Sequence, residues 1–154
     1  MQPSLDDRSC RGPRFLIVTL ETTELTLPSR IEAVDEAAVA IAGILNRSGV
    51  PEEIVFAVDM AIREAVTNAV LHGNKQDQAK VVRVTARNSA DRLEISVDDE
   101  GAGFNPADVP DPTAAENILK SSGRGIFFMS NFMDDVEWLI RPEGGTTVRM
   151  TKKL

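Results

Sequence analysis

An α+β fold, a two-layer sandwich with helices packed on one face of a mixed, mainly antiparallel sheet, is what this sequence predicts. Paired alternating segments are the first reason: Val81–Arg87 with Leu93–Val97, and Val136–Arg141 with Thr146–Leu154, each pair joined by turn residues. The second is a pair of adjacent helical segments, about 29–48 and 51–72, standing between the first strand and those hairpins. Strands grouped in pairs with helices between them favour a sheet covered on one face over a chain of alternating βαβ units.

The 154 residues are enough for one domain that buries a core without covalent staples. Cys10 is the only cysteine, so no internal disulfide can form, and a reducing compartment is permitted. Met1–Pro13 has acidic residues and no apolar run, so neither a signal peptide nor a membrane span is expected. The expected location is therefore the cytoplasm, with no membrane contact. A formal charge of -7 argues against a broad basic face for nucleic acid, so any phosphate must be gripped locally.

Residues 1–13 contain Pro3, Gly12 and Pro13 with no periodicity and are expected to be a flexible N-terminal tail or tag remnant ahead of a single domain at 14–154. Arg14–Leu20 is rich in large apolar and β-branched residues and predicts the first strand, with Thr22–Leu27 returning as a ragged edge. Ser29 and Glu32 have the capping-box spacing, and Ile31, Val34, Ala38, Ile41, Ala42 and Leu45 carry a helix to about Ser48, closed by Gly49. Pro51 suits the first turn of the next helix, Glu52 and Glu53 suit its positive end, and Gly73-Asn74 closes it after His72. Between Asp98 and Ser122 no period survives; with Pro106, Pro110 and Pro112, the stretch from about 104 to 122 reads as a lid or binding segment. A short helix follows at Gly125–Met133, and Pro142–Gly145 turns the last hairpin.

Three stretches could carry chemistry. Glu64, Asn68 and His72 recur at four-residue steps, so the second and third sit about 40° and 80° round the helix from the first. Val55, Val58, Ile62, Ala65, Val66 and Ala69 fill the neighbouring arc, which places the polar stripe at the core's edge. A carboxylate and a carboxamide there can take a proton and ligate a metal ion, though an ordinary solvated helix face has the same pattern. Asp98-Asp99-Glu100-Gly101-Ala102-Gly103 follows a strand; a carboxylate there can accept from an amine, while a glycine turn with acidic flanks is the plainer reading. Ser121-Ser122-Gly123-Arg124-Gly125 opens a helix, where backbone N–H groups with Lys120 or Arg124 nearby suit phosphate oxygens. Neither glycine cluster has the spacing of the P-loop or of the dinucleotide turn.

Taken in order, Glu64–Asn68 on a helix, Asp99–Gly103 after a strand, a long lid, Gly123–Gly125 at a helix start and Gly144-Gly145-Thr146-Thr147 resemble the ATP-binding (Bergerat) domain of the GHKL superfamily. That group includes gyrase, the heat-shock 90 chaperones, sensor histidine kinases and mismatch-repair ATPases. Within it the chain looks most like the bacterial anti-sigma factor serine/threonine kinases, a resemblance that extends from about Arg14 to Leu154 and includes Asn131–Asp135 and Gly145–Lys152.

The resemblance implies ATP and Mg2+ as cofactors. Asn68 would ligate the metal ion, and Asp99 would accept from the adenine amino group with Thr146 or Thr147 supporting that contact. Gly101 and Gly103 would let the adenine end approach, while Lys120, Gly123, Arg124 and Gly125 would serve the phosphates. Glu64 would be the general base for a serine hydroxyl on a partner protein. Implied partners are an anti-sigma factor antagonist, the serine acceptor, and a sigma factor held by partner switching, with room for a homodimer. A regulatory module of the same fold that binds nucleotide with little phosphotransfer is the alternative. A detached sensor-kinase domain is weaker, since the only histidine, His72, lies on the ATP helix. His72 is expected to fix the helix end or lid base. Trp138, Phe127, Phe128 and Phe132 are expected in the core, and Asp134-Asp135 in a turn rather than at a metal.

Overall fold

A computed structural model of the chain describes residues 20–103 and 124–154. The elements run β1 (Glu21–Pro28), α1 (Ala33–Arg47), α2 (Glu52–Asn68) with a π-helical turn at Ala69–Gly73, β2 (Val81–Asn88), β3 (Arg92–Asp98), α3 (Arg124–Phe132), β4 (Asp135–Ile140) and β5 (Thr146–Lys153). The five strands form one sheet in the order β1-β2-β3-β5-β4. Every pairing is antiparallel, with Val84 opposite Val97, Val97 opposite Val148 and Val148 opposite Trp138.

Alternation decides which face is covered. Val82, Val84 and Ala86 from β2, Leu93, Ile95 and Val97 from β3, and Val148 and Met150 from β5 are buried in one core with the helices. Arg83 and Arg87 point to the other side and are exposed. Ile41, Leu45, Val58, Ile62 and Val66 supply the helical layer. Fully burying a side chain of that size contributes about 1.5–3 kcal/mol, so this interlayer surface holds the sandwich together.

Several expectations shift. Leu20 carries no strand, residues 14–19 lie outside the described residues, and the expected ragged edge at Thr22–Leu27 is a regular strand within β1. Its polar residues misled because β1 is an edge strand with one wet face: Glu24 and Thr26 are exposed while Leu27 is buried. The capping box at Ser29 does not form; helix α1 begins three residues later with Glu32 at its N-cap and no side-chain cap. Ser29 Oγ instead donates to the Lys80 carbonyl at 2.8 Å and accepts from Asn74 Nδ2 at 2.7 Å. Gly49 does close α1 in a left-handed conformation (φ 68°), and Pro51 is the N-cap of α2. The lid expected at 104–122 falls outside the described residues.

Helix α3 departs most from expectation. Among the described side chains of this segment Met129 and Met133 are fully in the core, whereas Phe127 and Phe128 are 41% and 46% exposed. Phe128 stacks on Phe132, which meets Phe56 of α2 edge-on, so these rings form a surface row, and Phe132 and Trp138 are only partly buried. Asp134 ends the turn before β4, its carboxylate accepting from the Lys153 amide at 2.6 Å. No helix is long and apolar enough to cross a membrane among the described residues.

Candidate functional site

The end of α2 and the β3 exit build the site together. From Ala69 the helix widens into a π turn, closed by the Asn74 amide donating to the Ala69 carbonyl and the Gln76 amide to that of Val70. Lys75 and Gln76 then take left-handed backbone conformations, φ 53° and 57°. Asn74, 1% exposed, turns its side chain into the fold. Its Nδ2 donates to Ser29 Oγ and to the Val81 carbonyl, and its Oδ1 accepts from the Glu100 amide at 2.7 Å. Asn74 thereby does what was expected of His72, which is exposed on the π turn.

That fastening brings Gly73 against Asp99. A Cβ on Gly73 would collide with the Asp99 carboxylate, one on Gly101 with the Gly73 carbonyl, and one on Gly145 with the Asp99 carbonyl. Gly101 therefore has a packing reason that its sequence context did not reveal. Gly103, with φ 94°, has Ile140 at 3.8 Å as the nearest neighbour a Cβ would meet among the described residues.

Asp99 is 7% exposed. Its Oδ1 accepts from the Gly101 amide at 2.9 Å and the Thr146 amide at 3.1 Å, and its own amide donates to the Thr146 carbonyl at 3.0 Å. Burial pushes its pKa above the ordinary aspartate value, and the two amides and Arg141 oppose that rise. Thr146 Oγ1 is buried with no partner among the described residues. An unsatisfied hydroxyl beside a buried carboxylate costs free energy unless a ligand or water reaches it, so the pair has the form of a polar receptor inside an apolar wall. Thr147 belongs elsewhere: adjacent strand residues face opposite ways, and its hydroxyl donates to Asp98 Oδ1 at 2.6 Å. Of the two threonines, the structure brings Thr146 to Asp99.

Glu64 and Asn68 lie half-buried one turn apart on α2, against the first turn of α3. A Cβ on Gly125 would collide with Glu64 Oε2 and come within 3.6 Å of Asn68 Nδ2. The carboxylate and carboxamide thus share the positive end of α3 with whatever anion binds there. Lys120 and Gly123 lie outside the described residues, as does the side chain of Arg124, whose backbone begins α3. From Glu64 to Gly73 the helix rises about 13 Å, so the acid and amide stand at one end of a track and Asp99 with Thr146 at the other. No cluster of three His, Cys, Asp or Glu groups suited to a metal exists among the described residues. A divalent ion here would lean on an amide oxygen and on phosphate oxygens, and Asn68, near the end of α2 and beside the start of α3, fits that chemistry.

A buried Asp99–Thr146 pair at one end, Glu64 and Asn68 beside the start of α3 at the other and an antiparallel sheet beneath fit an ATP-binding domain of the histidine kinase type. The chain belongs to the family described as the histidine kinase-like ATPase domain, which it matches over residues 27–152, and its relatives place it with the protein serine kinases of that family. The anti-sigma F factor of Oceanobacillus iheyensis is 33% identical over 77% of this chain and 82% of its own. The serine-protein kinase RsbW of Bacillus mycoides is 33% identical over 86% of this chain and 84% of its own. Among solved structures, one with RsbU and RsbW domains from Mycobacterium tuberculosis superposes with a TM-score of 0.65 at 21% identity, over 87% of this chain and 32% of that one. The latter likeness speaks to the fold.

Proposed function

We propose that the protein is an ATP- and magnesium-dependent anti-sigma factor kinase that phosphorylates a serine of an anti-sigma factor antagonist. When unphosphorylated antagonist is scarce, it holds a sigma factor. The carrying observation is the placement of Glu64 and Asn68 against the first turn of α3, with the buried Asp99–Thr146 pair at the far end of the same helix. The names of the relatives, an anti-sigma F factor and serine-protein kinases, support the choice of partners.

Asp99 would accept from the adenine amino group through Oδ2, the oxygen turned to Gly73, and Thr146 Oγ1 would complete its shell. Gly101 and Gly103 would shape the rim on that side. Asn68 would hold the magnesium ion through its amide oxygen, and Gly123, Gly125 and the Arg124 backbone, with Lys120, would receive the phosphates. Magnesium there would supply charge neutralisation to the phosphates. Glu64 would orient the acceptor serine and take the proton from its hydroxyl oxygen as that oxygen bonds to the γ-phosphorus and the bond from the γ-phosphorus to the β-phosphate oxygen breaks, releasing ADP. The reading places the protein in the cytoplasm, where both partners work.

The test is incubation with γ-labelled ATP and antagonist domains from the same genome. Label is expected on a serine of one such domain. Tight ADP binding with no transfer to any of them would favour a nucleotide-dependent regulatory module instead.

A further inference from the structure

We propose that Arg141 is a positioning residue for the adenine contact: its guanidinium fastens the main chain of Asp99 to the β4–β5 turn and supplies a positive charge facing the buried carboxylate. Nothing in the sequence marks it out, since it lies in a hairpin turn beside a proline. The inference rests on the reading that Asp99 receives adenine.

The geometry is a clamp. Arg141 is half-buried, its side chain 16% exposed. Nη1 donates to the Asp99 carbonyl at 2.8 Å and Nη2 to Glu143 Oε1 at 2.9 Å. The Arg141 amide donates to the Gly145 carbonyl and the Gly144 amide to the Arg141 carbonyl, each at 3.0 Å. Gly145 in turn packs so closely on the Asp99 carbonyl that no Cβ fits between them. One turn thus grips one carbonyl from two sides, immediately beside the carboxyl group that faces the site.

Charge follows from this placement. Burial favours the protonated form of Asp99, and Asp98 on the same strand adds to that; the Gly101 and Thr146 amides and the Arg141 charge oppose it. Of the other charged or titratable groups nearby, Glu100 is turned to the Val81 amide, Glu143 is bonded to Arg141, and His72 is exposed next to Gly73 on the π turn. A protonated carboxyl offers a donor to an amino group that needs an acceptor. Arg141 therefore extends toward acid the pH range over which Asp99 can receive adenine.

The experiment uses the full chain and three variants. Arg141→Gln keeps a donor toward the Asp99 carbonyl and loses the charge, Arg141→Lys keeps the charge, and Glu143→Gln unmasks it. Two quantities are read from about pH 8 to about pH 4: Asp99 carboxyl titration by carbon NMR in nucleotide-free protein, and ADP affinity by calorimetry. In Arg141→Gln the titration should move to higher pH and ADP affinity should be lost at correspondingly higher pH, while near pH 8 the affinity stays within about tenfold of the parent. Arg141→Lys should restore most of both, and Glu143→Gln should move them toward acid. A purely structural role would lower the melting temperature without moving the titration, and that result would overturn the proposal. Should Arg141→Gln not fold, an Asp99 titration unmoved in Glu143→Gln would overturn it equally. If the titration moves but the ADP profile does not follow, the electrostatic role of Arg141 stands and the adenine contact at Asp99 falls.

Discussion

Asp99 is asked to be buried and charged at once, and most of the residue-scale behaviour of the site follows from that conflict. Asp99→Asn should weaken ADP by about 1.5–3 kcal/mol, because an amide presents donor and acceptor where the adenine amino group needs an acceptor. Calorimetry reads it, and the fold should survive, since Asn keeps an oxygen for the Gly101 and Thr146 amides. The pH signs are opposite for stability and binding. Because burial raises the folded-state pKa above 3.8, the group favours folding below that value and the advantage is lost as pH rises through the raised value. Asp99→Asn removes this dependence, so its melting temperature relative to the parent should rise as pH climbs from the ordinary aspartate value through the raised one. Nucleotide affinity should instead fall as pH falls through the raised pKa, and a Kd flat across that range would remove the carboxylate from the contact. Thr146 shows what a sequence cannot tell: Thr146 and Thr147 are the same residue type in adjacent positions, and only strand register decides which hydroxyl joins Asp99.

At the scale of elements, the closure of α2 was legible as a Gly-Asn stop, but not how it works. A π turn is a hydrogen-bond choice rather than a composition, and the Asn74 network depends on Ser29, 45 positions away, and Glu100, 26 positions away. The capping-box signal at Ser29 failed for the same reason: a long-range partner outcompeted the local one. Lys75 and Gln76 occupy left-handed backbone without being glycine, which costs about 1 kcal/mol each. Lys75→Gly should therefore raise stability by up to about 1 kcal/mol in chemical denaturation, less the extra entropy of the unfolded chain. Gly101→Ala should act in reverse, because its methyl must displace the Gly73 backbone; a loss of about 1–3 kcal/mol is expected. The exposed phenylalanines of α3 were misplaced because a short helix turns one face outward, and among the described side chains Met129 and, just past the helix end, Met133 are the buried ones. Aromatic content alone does not say which face is inside.

For the whole molecule, the α+β architecture was legible because period-2 and period-3.6 segments seldom mimic each other over this length. The pairing of β3 with β5 across the intervening α3 and β4 was not, since nothing local specifies a partner 49 residues away, as Thr147 is from Asp98. That pairing matters most, because it lays Thr146 beside Asp99 and so couples the last strand to the end of the site proposed for adenine. At the other end, Asn68→Ala should weaken ATP with magnesium far more than it weakens nucleotide without metal, as calorimetry with and without chelator would read. The central claim is that Glu64 transfers a proton rather than merely lining a binding site. Glu64→Gln preserves shape and most hydrogen bonding, so ATP should bind as in the parent while phosphoryl transfer to the antagonist serine falls by about 10² to 10⁴. Transfer at the parent rate by a Glu64→Gln protein that still binds ATP would contradict the account.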